Sequence, residues 1–162
     1  MIQRGEVVAS GMTAITSDRK KVVDALRQVV ADSYALMGQT HLCHWNVRGT
    51  GFFALHTAFE VQYTELFTAI DEIAERIRAL GALAPGGLGN LAAMAGMPEL
   101  EEDADAKAMV KHLADANRKL VQDMGKAREL AAEANDPESE DLMIARTQVH
   151  EKTIWMLESF LA

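Results

Sequence analysis

The sequence predicts an all-α protein built from four long helices. Only three prolines occur in the 162 residues, at positions 85, 98 and 137. Between them the chain is rich in Ala, Leu, Glu, Met, Arg and Lys, which are strong helix formers. Apolar residues recur three and four positions apart along four segments, which is the spacing of one face of an α-helix. These observations together predict helices throughout the chain.

The first two helices are predicted on either side of a short glycine-containing turn. The first can be capped by Ser17 or Asp18, and its apolar repeat continues to about Val47. The second begins near Phe52 and spans about eight turns. It ends at Gly81, because glycine is the residue that most readily terminates a helix.

A long connection separates these helices from the last two. Residues 81–100 are rich in glycine and uncharged almost to their end, so we expect a crossover with at most a short helix around 90–95. Helices over about 103–133 and 137–161 follow, the last one capped by Asp136. Four long helices with one long crossover in the middle predict a ferritin-like four-helix bundle.

Length, composition and net charge limit the domain organisation, partners and cellular compartment that fit this sequence. We expect residues 1–16 to form a flexible tail and residues 17–162 to form one domain. Sixteen basic and twenty-four acidic residues give a net charge of -8, which disfavours nucleic acid and anionic membranes but favours metal cations. The single Cys43 cannot form an intrachain disulfide, and no signal peptide or apolar membrane-spanning stretch is present, so the cytoplasm is the expected compartment.

The usual iron site of such bundles is missing from this sequence. Ferritin-like bundles hold a di-iron centre inside each subunit, built with a Glu-x-x-His pair on each of two helices. The residues three positions before the five histidines are Gly38, His41, Phe53, Met109 and Thr147. None is glutamate, which argues against an ordinary centre within one subunit.

A different set of metal-ligand types lies along the first two helices: His44, His56, Glu60, Asp71 and Glu75. His56 and Glu60 are four residues apart, as are Asp71 and Glu75, so each pair shares one face of a helix. The two pairs lie about 16 Å apart along the helix axis, at roughly 1.5 Å per residue. One subunit cannot bring them together, whereas an antiparallel two-fold copy could. Mixed imidazole and carboxylate ligands suit Fe(II) or Zn(II).

An ordinary solvated helix face is the alternative interpretation. Acidic pairs four residues apart are common on exposed helices, and Arg76 and Arg78 could simply pair with them.

Three segments resemble one known family. "HWNVRGTGFFALHTAFE" at 44–60, "DEIAERIRALG" at 71–81 and "EDLMIARTQVHEKTIWMLESFLA" at 140–162 resemble the Dps family, the DNA-binding proteins from starved cells. The resemblance covers about residues 20–162. It implies a homododecameric mini-ferritin built from two-fold dimers. Such a protein oxidises Fe(II) to Fe(III), preferably with hydrogen peroxide, stores ferric mineral in a hollow shell, and so protects the cell and its DNA.

The resemblance also assigns the ligands of a ferroxidase centre that binds two iron ions. His44, His56 and Glu60 would come from one subunit, and Asp71 and Glu75 from its two-fold partner. Position 60 departs from the commoner family pattern, which has Asp there. The longer Glu side chain reaches farther, which bears on the spacing and affinity of the second iron.

Two further roles are expected near this centre and at the shell surface. Trp45 adjoins His44, and its indole could quench stray one-electron oxidants; the alternative is packing at the dimer seam. His41 lies outside the family pattern and is interpreted as an accessory or surface residue. Glu138 and Asp141 share a helix face and could line a three-fold iron pore, or could simply favour the start of their helix.

DNA binding is expected to be weak or absent. The first sixteen residues contain a single basic residue, Arg4, the chain ends directly after the last helix, and Arg19, Lys20 and Lys21 form only a short cluster. A DNA-compacting, nucleoid-associated protein is nevertheless the competing function. An inert bundle with a decayed or zinc-filled site is a third.

Overall fold

A computed structural model describes residues 15–162 and contains five helices in this part of the chain. They are α1 (Ser17–Asn46), α2 (Phe52–Ala79), α3 (Leu88–Met94), α4 (Ala106–Glu133) and α5 (Pro137–Leu161). The described residues form no strand, so the predicted all-α class is confirmed. The predicted tail lies almost wholly outside the described residues, and the division into tail and bundle stays a prediction. Within residues 15–162 no helix has both the length and the apolar character needed to cross a membrane.

The cap of α1 differs from the predicted one. Thr16 is the N-cap, and its hydroxyl accepts a hydrogen bond from the Arg19 amide at 3.4 Å. The prediction of Ser17 or Asp18 was wrong by one or two residues, because three successive residues carry side chains that can cap a helix. Thr16 has the extended backbone that a cap requires, whereas Ser17 is already helical.

Other helix ends follow from local hydrogen bonds. The carboxylate of Asp105 accepts a hydrogen bond from the Ala108 amide at 2.8 Å, so α4 begins slightly later than predicted. At the other end of α2, Gly81 has a φ of +88°, and the next amide, of Ala82, donates to the Ile77 carbonyl at 3.2 Å. This left-handed turn is the glycine termination that the sequence predicts.

The four long helices surround one apolar core. α1 packs against both α2 and α4, and α4 packs against α5, whereas α2 and α5 touch at few points. Fully buried side chains come from all four helices: Leu26, Leu36, Phe59, Ile73, Met109, Leu113, Leu120, Met124 and Met143. Each contributes about 1.5–3 kcal/mol by leaving water. The sparse contact between α2 and α5 leaves a cavity of about 480 Å³ between them.

Side chains of α1 hold the crossover in place. The fully buried Asp32 accepts a hydrogen bond from the Gly96 amide at 2.7 Å and lies 3.2 Å from the Lys119 ammonium group of α4. Further along, Gln39 accepts from the Leu100 amide at 2.9 Å. The crossover therefore runs along α1, to which the amides of Gly96 and Leu100 are hydrogen-bonded, and it contains the short helix α3 close to the predicted position.

Candidate metal centre

The end of α1 and the start of α2 bring two histidines face to face. The ring centroids of His44 and His56 are 3.8 Å apart, and their planes differ by 18°. The connecting turn contains Gly49 and Gly51, with φ values of +88° and +86°. Residues with side chains rarely adopt such values, so the two glycines permit the tight reversal that stacks the rings.

Each of these imidazoles is held by the backbone of the other histidine. His44 Nδ1 donates to the His56 carbonyl oxygen, and His56 Nδ1 donates to the His44 carbonyl oxygen, both at 2.9 Å. A carbonyl oxygen can only accept, so both Nδ1 atoms carry a proton, and Nε2 is the nitrogen that each ring can offer to a metal. Histidines that bind metals commonly have this arrangement, in which a hydrogen bond to the other ring nitrogen fixes the tautomer.

The acidic candidates lie exposed along α2 and are not taken up by local ion pairs. Asp71 and Glu75 form no ion pair with any residue in 15–162. Arg76 instead reaches α5 and donates to Asp136 at 2.5 Å, while Arg78 donates to a backbone carbonyl. Arg76 and Arg78 therefore do not pair with Asp71 or Glu75, while the interpretation of these exposed acids as an ordinary solvated helix face is not contradicted.

A single copy of the chain contains two incomplete sets of ligands. Within residues 15–162, no three His, Cys, Asp or Glu side chains converge as a metal site. The structure joins His44 to His56 but does not bring Glu60, Asp71 or Glu75 into one cluster with them. Glu60, Asp71 and Glu75 all lie on one continuous helix, so the distance along the helix axis between Glu60 and the other two acids is fixed.

Aromatic rings extend from the histidine pair to the surface. Trp45 is 71 % exposed and stacks on His41, with centroids 5.2 Å apart. His41 lies 4.1 Å from the ring of Tyr63, which meets His44 edge-on at 5.2 Å. Burial and the neighbouring His44 lower the pKa of His41. Sequence reasoning missed Tyr63, although its spacing of seven residues from His56 places both on one side of α2.

The acidic start of α5 is partly neutralised within the chain. Burial would raise the pKa of Asp136, but hydrogen bonds from Ser139 and the nearby Arg76 outweigh burial and lower it. The Arg76 guanidinium also lies 3.8 Å from Glu138, which is itself exposed. Asp141 is exposed and has no ion-pair partner among residues 15–162. The predicted pore role of Glu138 and Asp141 remains a prediction.

Comparison with known proteins shows which family has this sequence and architecture. A profile of the Ferritin-like domain matches residues 23–162. The chain is 36 % identical to a DNA protection during starvation protein of Brevibacillus brevis, over 90 % of this chain and 98 % of that one. It is 34 % identical to DNA protection during starvation protein 2 of Bacillus anthracis, over 88 % of this chain and 97 % of that one.

Solved structures agree with these matches. The crystal structure of a Dps protein from Bacillus brevis superposes with a TM-score of 0.88 at 35 % identity, covering 91 % of this chain and 99 % of that one. The Dps protein from Vibrio cholerae, described as a member of a superfamily of ferritin-like diiron-carboxylate proteins, also gives 0.88, at 30 % identity over 98 % of this chain and all of its own. The predicted ferritin-like bundle and family resemblance are thus confirmed, and this chain belongs to the Dps family of ferritin-like proteins.

Proposed function

We propose that this protein oxidises Fe(II) to Fe(III), with hydrogen peroxide as the preferred oxidant, at centres shared between two copies of the chain. The single observation that carries the proposal is the reciprocal pairing of His44 and His56, which leaves both Nε2 atoms ready to bind a metal. Imidazole combined with carboxylate suits Fe(II). The description of the Vibrio cholerae relative as a diiron-carboxylate protein supports iron as the substrate.

A second copy would complete the centre. In an antiparallel two-fold dimer, His56 and Glu60 of one copy stand opposite Glu75 and Asp71 of the other, at two equivalent places. The side of α2 between these ligands carries Phe67, which is 69 % exposed in the single chain. A large apolar residue between acidic ones is explained if another protein surface covers it. Six such dimers would form the hollow dodecamer in which ferric mineral is stored.

The proposed reaction balances without an odd electron. Two Fe(II) and one hydrogen peroxide with two protons give two Fe(III) and two water molecules, so hydroxyl radical is not released. The chain contributes two imidazoles whose Nδ1 hydrogen bonds orient the rings, so Nε2 is the nitrogen that each would offer to iron. Glu60, Asp71 and Glu75 offset the positive charge of the bound iron, which increases on oxidation.

Trp45 is proposed to protect the surroundings of the centre. Its ring is linked to His44 through His41 and Tyr63, each pair of neighbours being in ring contact. An indole can donate one electron to an oxidant that escapes the two-electron reaction. Packing of this exposed ring at the dimer seam is the alternative.

Iron entry is proposed at the start of α5. Three symmetry-related copies of Glu138 and Asp141 around a pore would concentrate negative potential on an entering cation. Because Arg76 lies near Glu138, we expect Asp141 to contribute the larger part of this potential.

Rapid oxidation should depend on the paired histidines. Protein loaded anaerobically with Fe(II) receives limiting peroxide while ferric absorbance is followed, in the wild type and in a His44→Ala/His56→Ala variant. We expect fast oxidation of about two Fe(II) per peroxide in the wild type only. His112→Ala, which removes a histidine of α4, is the matched control and should behave as the wild type. Equal slow rates in the wild type and the double variant would contradict the proposal.

Direct DNA compaction is the second candidate, because the names of the Brevibacillus and Bacillus relatives refer to DNA protection, which compaction could provide. The net charge of -8 on each chain opposes it, because affinity for DNA comes largely from contacts between basic residues and phosphate. We therefore propose that protection arises from removal of iron and peroxide, with weak or no DNA binding.

A further inference from the structure

A polar network joins α2, α4 and α5, in which Arg146, His150 and Asn117 are buried and the Glu65 side chain is 38 % exposed. Arg146 of α5 is only 6 % exposed and forms a two-pronged ion pair with Glu65 of α2, in which Nη2 donates to Oε2 at 2.9 Å. The same Nη2 atom lies 3.2 Å from His150 Nε2. On the other side of that ring, His150 Nδ1 lies 2.7 Å from Asn117 Oδ1.

The hydrogen bonds determine the tautomer of His150. The amide nitrogen of Asn117 donates to the Leu113 carbonyl at 2.7 Å, so the atom facing His150 is the accepting oxygen. His150 Nδ1 therefore carries the proton, and Nε2 accepts from Arg146. The burial of His150, with Arg146 nearby, lowers its pKa to about 3, so the ring is neutral near pH 7. As in His44 and His56, Nδ1 is the nitrogen that donates a hydrogen bond.

We propose that Arg146 keeps the interior of the bundle free of metal by occupying the place where a divalent cation would bind Glu65 and His150. One nitrogen of its guanidinium touches both a carboxylate oxygen and an imidazole lone pair, which are typical metal ligands. A Zn²⁺ ion at that position would need ligand distances of about 2.0–2.2 Å, so each side chain has to approach by about 1 Å. The guanidinium cannot lose its charge, so it also neutralises Glu65 permanently.

The surroundings would allow a cation to reach this place. Glu65, Asn117 and His150 all line the cavity between α2 and α5, which opens to the surface. The buried Nε of Arg146 has no hydrogen-bond partner among the described residues. A buried donor without a partner is costly, which favours a role for Arg146 beyond stabilising the fold. Exclusion of cations stands on this geometry alone, whereas its value for directing iron to the dimer interface rests on the proposed function.

The test uses Zn²⁺ binding in a protein that lacks the interface histidines. In a His44→Ala/His56→Ala background, calorimetry counts the Zn²⁺ ions bound by the assembled, metal-free protein. Adding Arg146→Met, which keeps an unbranched side chain, should create one additional site per subunit, at least about tenfold tighter than the background sites. Adding Glu65→Gln to that variant should abolish the new site. A folded Arg146→Met variant that gains no ion would overturn the proposal.

A second comparison leaves Arg146 in place. In the same background, His150→Gln can keep both hydrogen bonds of the ring but offers no imidazole. Because Arg146 already blocks the position, the number of bound Zn²⁺ ions should not change, and loss of one ion would overturn the proposal. Arg146→Gln replaces Arg146→Met with the same expectations if the latter fails to assemble. None of these measurements involves iron oxidation, so their outcome is independent of whether the protein is a ferroxidase.

Discussion

Mixed oligomers test whether each centre is shared between two copies. One variant carries His44→Ala and His56→Ala, and the other carries Asp71→Asn and Glu75→Gln. Each variant alone should lose both centres of every dimer, since each proposed centre needs the histidines of one copy and the acids of the other. In a mixed dimer, one centre lacks both sets of ligands, whereas the second contains only wild-type ligands.

The expected recovery follows from this pairing. With equal expression and random association, half of the dimers are mixed, and each of these has one intact centre of two. The co-expressed protein should therefore show about one quarter of the wild-type initial rate of ferric absorbance, although both parents are inactive. Wild type co-expressed with the histidine variant should retain about half, which calibrates the mixing.

A centre contained in one chain gives a different result. If all five ligands acted within a single copy, every subunit of the mixture would lack some of them. The mixture would then be as slow as either variant alone, and that outcome would refute the shared centre.

Four further predictions concern His150 in the bundle interior, Trp45, the entry of iron and the binding of DNA. Burial and the nearby Arg146 lower the pKa of His150 from 6.5 to about 3 in the folded protein. Between these two pH values the unfolded chain binds a proton at His150 that the folded protein does not bind. Stability should thus fall as the pH decreases below 6.5, by about 2 kcal/mol between pH 7 and pH 5. In urea unfolding at equal protein concentration, the free energy of unfolding of His150→Gln should fall by about 2 kcal/mol less than that of the wild type over this pH range. An equal loss in both proteins would contradict the lowered pKa of His150. Trp45→Phe should leave iron oxidation nearly unchanged and increase spin-trapped radical, and unchanged trapping would remove the protective role. Glu138→Gln with Asp141→Asn should slow iron uptake into the shell, a role that unaltered uptake kinetics would reject. In gel-shift assays at physiological salt we expect no retardation of DNA, and a tight shift would show that the charge argument is wrong.

Most of the fold could be predicted from the sequence because helical periodicity and helix-breaking residues are local signals. The cap of α5 by Asp136, followed directly by Pro137, is confirmed. The start of α1 was misplaced because Thr16, Ser17 and Asp18 are all good caps. Only the backbone conformation selects among them, and residue type alone does not determine it.

The candidate ligands could be named from the sequence, but their contacts could not be predicted. His44 and His56 are among these candidates, yet their exchange of hydrogen bonds depends on how two glycines turn the chain. The sequence allows Arg76 to form an ion pair with acidic neighbours on α2, whereas its partner in the structure is Asp136, sixty residues away. Periodicity along one helix carries no information about such contacts between distant segments.

What faces a histidine decides whether it can bind metal here. His44, His56 and His150 all donate a hydrogen bond through Nδ1, which leaves Nε2 as the nitrogen that could bind a metal. The Nε2 of His150 accepts from Arg146, whose positive charge would repel a cation at short range. No hydrogen bond within residues 15–162 involves the Nε2 atoms of the other two. In the proposed dimer, the position of one arginine, rather than the histidines themselves, would therefore separate the subunit interior from the shared interface as a place for iron.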